Sequence, residues 1–265
     1  MRGAAVHVLL AAGFFGGVSV AHADVRIAVG AQHAPFMQNA PSDGGLLGDI
    51  VRAALEKAPQ PVPHVAANRV SFDALEDTLV VPTFDMAVGF FTPDCGQGTA
   101  ASRLCTGVYL SDPVLETVVS LFTRVDGQFE YQTEQDLHDK TVCLSRVATT
   151  STTPAWQASL DSETLVLPSV KACFGALMAG EVDAVAANEF HGVALMFELD
   201  LTDQIVPLPT PLARPAIHIG ISKWHWAADA HVYRVNAGLA QLRQSGEYGE
   251  IVARHVQRFW ANLPR

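Results

Sequence analysis

SVKACFGALMAGEVDAVA, from Ser169 to Ala186, joins a helix to a strand through a single glycine. Ser169 opens the helix as an N-cap, and Gly180 ends it in the left-handed conformation that a residue without Cβ adopts cheaply. Val182 to Ala186 follows as a strand. Outward from this unit the same alternation recurs. Toward the N-terminus, strands are expected at Val25–Val29, Asp85–Phe90, Val118–Phe122 and Thr141–Leu144. Between them, Ile50, Val51, Ala54 and Leu55 are spaced for a helix over Gly48–Lys57, stopped by Pro59, Pro61 and Pro63. Ser71 reads as the cap of a second helix, Phe72–Leu79, and Glu134–His138 as a short third. Toward the C-terminus, a strand at Ile217–Ile221 precedes helices over Ala228–Ser245 and Tyr248–Trp260, with Gly246 between them. This alternation implies an α/β fold of layered helices on largely parallel strands.

The 265 residues suffice for one large domain or two small ones. With 49% hydrophobic and 17% charged residues, the chain has the composition of a globular protein rather than a disordered one. A net charge of −10 excludes extended nucleic-acid binding, which needs clustered Lys and Arg, and gives no attraction to an anionic membrane. Arg2, the apolar run Val6–Val20, and the small residues Ala21 and Ala23 make residues 1–23 a secretory signal peptide, cleaved before Asp24. An uncleaved anchor is the alternative, but the run is short and glycine-rich for a bilayer span. No cysteine stands at the cleavage point to carry a lipid, and no later segment is apolar for long enough to cross a membrane. Loss of Arg2 takes the mature chain from −10 to about −11.

Export gives the four cysteines meaning, because an even count in an oxidising compartment favours bridges. Sequence alone permits three pairings. Cys95 and Cys105 bracket a Gly/Ser/Ala-rich loop, while Cys143 lies in a strand and Cys173 in the helix quoted above. We therefore expect 95–105 and 143–173, with free buried thiols as the alternative. Closing the shorter loop stabilises by about 2–3 kcal/mol on chain-entropy grounds.

Several short stretches, in order, resemble the bacterial family 3 extracellular solute-binding proteins. Ala34-Pro35-Phe36 with Gly48-Asp49-Ile50 is similar to that family's opening "PPF…GF-D". Phe72-Asp73-Ala74-Leu75 to Phe84-Asp85-Met86 resembles its "W--L---L--G-FD". Thr92-Pro93-Asp94 resembles "TPER", Leu110-Ser111-Asp112-Pro113 resembles "FSDPY", and Asp136-Leu137 with Lys140-Thr141-Val142 resembles "DLKGKKV". Ala179 to Val185 is close to "L-G-VDAVV", and Gln241 to Tyr248 resembles the closing "L--DGTY". The resemblance spans the mature chain. It implies a two-lobed periplasmic-binding-protein fold with two crossovers and a cleft between the lobes. Residues 24–123 and 216–265 would form lobe one and residues 124–215 lobe two, with crossings near Arg124–Gly127 and Pro209–Pro215.

The same resemblance implies a site. Phe36 matches an aromatic that packs on the ligand, with ordinary lobe packing as its alternative. Phe90, at the end of its strand, would offer an aromatic face to an uncharged solute; Thr92 opens the "TPER"-like turn, where Cys95 replaces the arginine that grips a ligand carboxylate, and Arg103 in the following loop is the candidate substitute, with a solvated loop arginine as its alternative. Thr149 and Thr150 match a hydroxyl-rich loop suited to an anion. Asn188 stands where an acidic residue pairs a ligand's ammonium, with Glu189 beside it. Trp224-His225-Trp226 with His218 and His231 invites a metal reading, but no pair has metalloprotease spacing, so no metal or cofactor is expected and the tryptophans are assigned to packing. No nucleophile elbow or phosphate loop is present. The function implied is that of a non-enzymatic, monomeric periplasmic substrate-binding component of an ABC importer, for an amino-acid-like or small polar solute. Two alternatives remain: an accessory protein that binds a protein partner in an alcohol or methanol dehydrogenase system, and a dehydratase-type enzyme on the same scaffold.

Overall fold

The computed structural model describes residues 25–31, 45–62, 64–71, 74–80, 83–93, 95, 103–146, 157 and 160–263. The signal segment, Phe36, Thr149 and Thr150 lie outside them. Both expected disulfides are formed, with Cα–Cα separations of 5.9 Å for Cys95–Cys105 and 5.6 Å for Cys143–Cys173.

Two mixed sheets carry the chain. The first contains β1 (Val25–Ala31), β2 (Val65–Ser71), β3 (Met86–Phe91), β4 (Val108–Leu110), β5 (Leu115–Glu116) and β11 (Ala216–Ser222), in the order β2-β1-β3-β11-β4, with β5 also on β11. The second contains β6 (Val119–Arg124), β7 (Thr141–Ser145), β8 (Glu163–Leu167), β9 (Ala184–Asn188) and β10 (Ile205–Pro207), in the order β10-β6-β9-β7-β8. Parallel pairing holds for β1 with β2 and β3, and for β7 with β8 and β9. The strands that follow a change of sheet, β6 and β11, run antiparallel to their neighbours. Hence the sheets are mixed where largely parallel strands were expected. The chain leaves the first sheet between Glu116 and Val119, not at 123/124, because β6 is already bonded to β9. It returns between Ala213, which bridges Val119, and Ala216.

Helices cover the sheets through apolar stripes. Helix α1 (Gly45–Lys57) and α5 (Ala228–Gln244) pack on each other, and Ile50, Val51, Leu55, Val235 and Leu239 join the strands of the first sheet in one core. Helix α3 (Val170–Ala179) has the expected ends: the Ser169 hydroxyl accepts from Ala172 N–H at 3.1 Å, and Gly180 sits at φ +74°. Cys173 ties it to β7, and Phe174 meets Phe122 of β6 with centroids 5.6 Å apart. Helix α4 (Glu189–Glu198) belongs to the second sheet, yet its Phe190 stacks edge-on against Phe259 of α6 (Glu247–Ala261), centroids 5.0 Å apart.

Two local expectations are corrected. Ser71 ends β2, whose seven residues pair in register with β1. Of the expected helix, the described residues have 3-10 conformation at Ala74 and at Asp77–Leu79 with a turn between, and none is α-helical. Sheet pairing with a distant strand overrides the local cap signal. Phe90 is fully buried among Leu75, Leu79, Leu104 and Val108. The register between β3 and β11 shifts at Gly89, whose φ of +131° a side chain rarely adopts. That bulge reverses the alternation and puts Phe90 on the same buried face of β3 as Ala87, not that of Met86 and Val88.

Candidate functional site

In α/β sheets, ligands bind beyond the carboxyl ends of parallel strands. Here those ends meet the two chain crossings. Thr92 follows β3 directly, and Phe91 pairs with Ile217 near the start of β11. Asn188 ends β9, opposite Val119 at the start of β6. The crossings are bound to each other through Thr117 N–H to Pro215 O at 2.9 Å and Val119 N–H to Ala213 O at 2.9 Å. Thr92 and Asn188, 96 positions apart in sequence, therefore both flank the paired crossings.

On the first-sheet side, Thr92 is exposed and its Oγ1 lies 3.1 Å from Nε2 of His218, which is 8% exposed. Nδ1 of His218 lies 2.7 Å from the Ser111 carbonyl, and the Ser111 hydroxyl accepts from Ile219 N–H at 3.0 Å. Cys95 is held by Cys105, the third residue of the short helix α2 (Arg103–Gly107), so the position of the expected arginine is occupied by a bridge. Arg103 begins that helix.

On the second-sheet side, Asn188 has a structural task. Its Oδ1 accepts from His191 N–H at 3.3 Å as the cap of α4, and its Nδ2 donates to Val118 O at 3.4 Å. The amide keeps a second N–H and a second lone pair beyond these two bonds; an asparagine ahead of an apolar-periodic run was the signal for a cap. Glu189, in the first turn of α4, is half-buried.

No protein-family model and no curated protein sequence matches the chain. Solved structures do. An amino-acid ABC transporter substrate-binding protein from Streptococcus pneumoniae, bound to L-arginine, superposes with a TM-score of 0.62 at 17% identity, over 91% of this chain and 97% of that one. The GluR0 ligand-binding core in complex with L-glutamate gives 0.64 at 13% identity, over 88% and 98%. A histidine kinase sensor domain with similarity to periplasmic binding proteins gives 0.66 at 18% identity, over 88% and 96%. The chain has the two-lobed periplasmic-binding-protein fold.

Within this binding-protein fold, one further cluster gathers metal-type ligands. Asp85, His225 and His231 bring ligand atoms within 4.8 Å of one another. Their outer bonds do not suit a cation. A metal-bound imidazole turns its other nitrogen outward as a donor. Here Nδ1 of His225 accepts from Ala227 N–H at 3.2 Å, and Nδ1 of His231 faces Arg234 Nη1 at 3.5 Å. Asp85 accepts from Arg26 N–H at 2.7 Å and contacts His225 Nε2 at 3.3 Å. Asp85 and His225 form a hydrogen-bonded clasp between the start of β3 and the start of α5, with the His231 ring centroid 5.0 Å from that of His225. The neighbouring tryptophans are not packed as expected: Trp224 lies over Gly107 but is 76% exposed, and Trp226 is 92% exposed.

Histidine burial has a consequence for stability. Burial pushes His231 below the ordinary histidine value, with help from His225 and Arg234 and opposition from Asp85. Burial lowers His191 likewise, against a smaller pull from Glu198. Both take a proton more readily when unfolded, so their contribution is complete above the unfolded value of 6.5 and is lost as pH falls through the lower folded values. His138, raised by Asp161, works in the opposite sense from a fully exposed position. Urea midpoints measured from about pH 7 to about pH 5 will therefore fall, and His231→Gln will flatten that fall. An identical slope in the variant would contradict this account.

Proposed function

We propose that this is an exported, non-enzymatic solute-binding protein that captures an amino-acid-like or small polar solute for an ABC importer. The observation that carries the reading is the convergence of both sheets' strand ends on the two crossings, with Thr92 on one side and Glu189 on the other. Hinge segments of this kind absorb the closure of two lobes around a ligand. Two proteins that share the fold are bound to L-arginine and L-glutamate, which sets the first compounds to try. A zwitterion needs a cation for its carboxylate and an anion for its ammonium. Arg103 supplies the first in place of Cys95, and Glu189 the second in place of Asn188.

Thermal shift against amino acids, polyamines and organic acids tests this directly. A true ligand at 100 times its dissociation constant adds about 2.7 kcal/mol of stability. Arg103→Ala will then weaken a carboxylate ligand at least tenfold, about 1.4 kcal/mol, and Glu189→Gln will do so only for ligands bearing an amine. A tight ligand indifferent to both changes would refute the amino-acid reading. A second reading, a periplasmic accessory that docks on a protein partner, is favoured by the exposed Trp224 and Trp226, since aromatic anchors carry much of the energy in protein interfaces. Silence across the whole panel would select it.

A further inference from the structure

We propose that His218 fixes the Thr92 hydroxyl as a hydrogen-bond acceptor, so that the cleft takes a donor group of the solute at this point, an ammonium or a hydroxyl, and turns away a carboxylate. The inference rests on the solute-binding reading and specifies the polarity of one side of that site.

Three contacts carry it. A carbonyl oxygen cannot donate, so the 2.7 Å contact between Nδ1 of His218 and Ser111 O places the ring proton on Nδ1. A neutral imidazole has one such proton, which leaves Nε2 a bare acceptor. Thr92 Oγ1, 3.1 Å away, must then donate its only proton to Nε2. What the hydroxyl can still offer outward is its lone pairs. The arrangement is rigid at its base. His218 is buried, it sits on β11 beside Phe90 of β3, and Ser111 is itself held by Ile219 N–H. A threonine without this partner could rotate its proton toward a carboxylate as readily as away from one. His218 is thus a positioning residue that acts through Thr92.

Two measurements decide the proposal. Nitrogen-15 correlation spectra of the histidine rings at neutral pH will show His218 protonated on Nδ1 and bare on Nε2; the opposite tautomer overturns the assignment. Calorimetry will then compare L-glutamate with glutarate and L-arginine with 5-guanidinopentanoate, pairs that differ by the amine alone. Thr92→Val, at an exposed position, will reduce the preference for the amine-bearing member by at least tenfold, and His218→Phe will reduce it in the same direction. A preference unchanged by Thr92→Val overturns the specificity role, whether or not the buried His218 variant folds. If none of the four compounds binds, the comparison is made with the ligand that the wider thermal-shift panel returns and its desamino analogue; silence across that panel fells the solute-binding reading and the solute contact with it. The tautomer alone then decides whether His218 sets the hydroxyl.

Discussion

Gly238→Val will lower the stability of the fold by about 3 kcal/mol, the upper end for overpacking of a well-filled core. Gly238 is buried on α5 where that helix crosses α1, and a Cβ there would be driven into the carbonyl of Ala54. The obstacle is helix backbone, which cannot step aside by changing rotamer. The two helices must separate, and separation opens gaps beside Ile50, Val51, Val235 and Leu239, all at or below 1% exposure. Gly249→Ala provides the contrast. Nothing lies within 4 Å of the position its Cβ would take on α6, so removing a helical glycine there should add about 0.5–1 kcal/mol. Urea unfolding of both variants measures the pair. A Gly238→Val protein within about 0.5 kcal/mol of the parent would mean that α1 and α5 do not pack as described.

Removing the Cys143–Cys173 bridge by paired alanine substitution will cost about 3–4 kcal/mol, more than the 2–3 kcal/mol expected for Cys95–Cys105. The bridges span 30 and 10 residues respectively, and the longer closed loop restricts the unfolded chain more. Access separates them further. Cys143 and Cys173 are both fully buried between β7 and α3, whereas Cys95 is exposed. Mild reductant applied to the folded protein will therefore open 95–105 first, and 143–173 only as the protein unfolds. Alkylation followed by peptide mapping reads the order, and simultaneous loss of both bridges would contradict it.

What the sequence determined on its own is what is local. The helix from Ser169 to Gly180 was legible because a hydroxyl cap three residues from the N–H it accepts from and a glycine terminator act within one turn of the chain. The disulfide partners were legible because Cys95 and Cys105 bracket one loop, while Cys143 and Cys173 lie on a strand and a helix of one α/β unit. Tertiary structure decided whatever depended on distant partners. Ser71 went to a strand because β1 was waiting beside it, 40 positions earlier in register. Phe90 turned into the core because of a bulge against β11. That Asn188 caps α4 shows only once Val118 and His191 are seen around its amide. His218 shows the same limit most clearly. Its partners Ser111 and Thr92 stand 107 and 126 positions away, and no periodicity links them. A hydrogen bond across such a distance has no sequence signature, because the backbone that brings the atoms together is set by the packing of whole sheets.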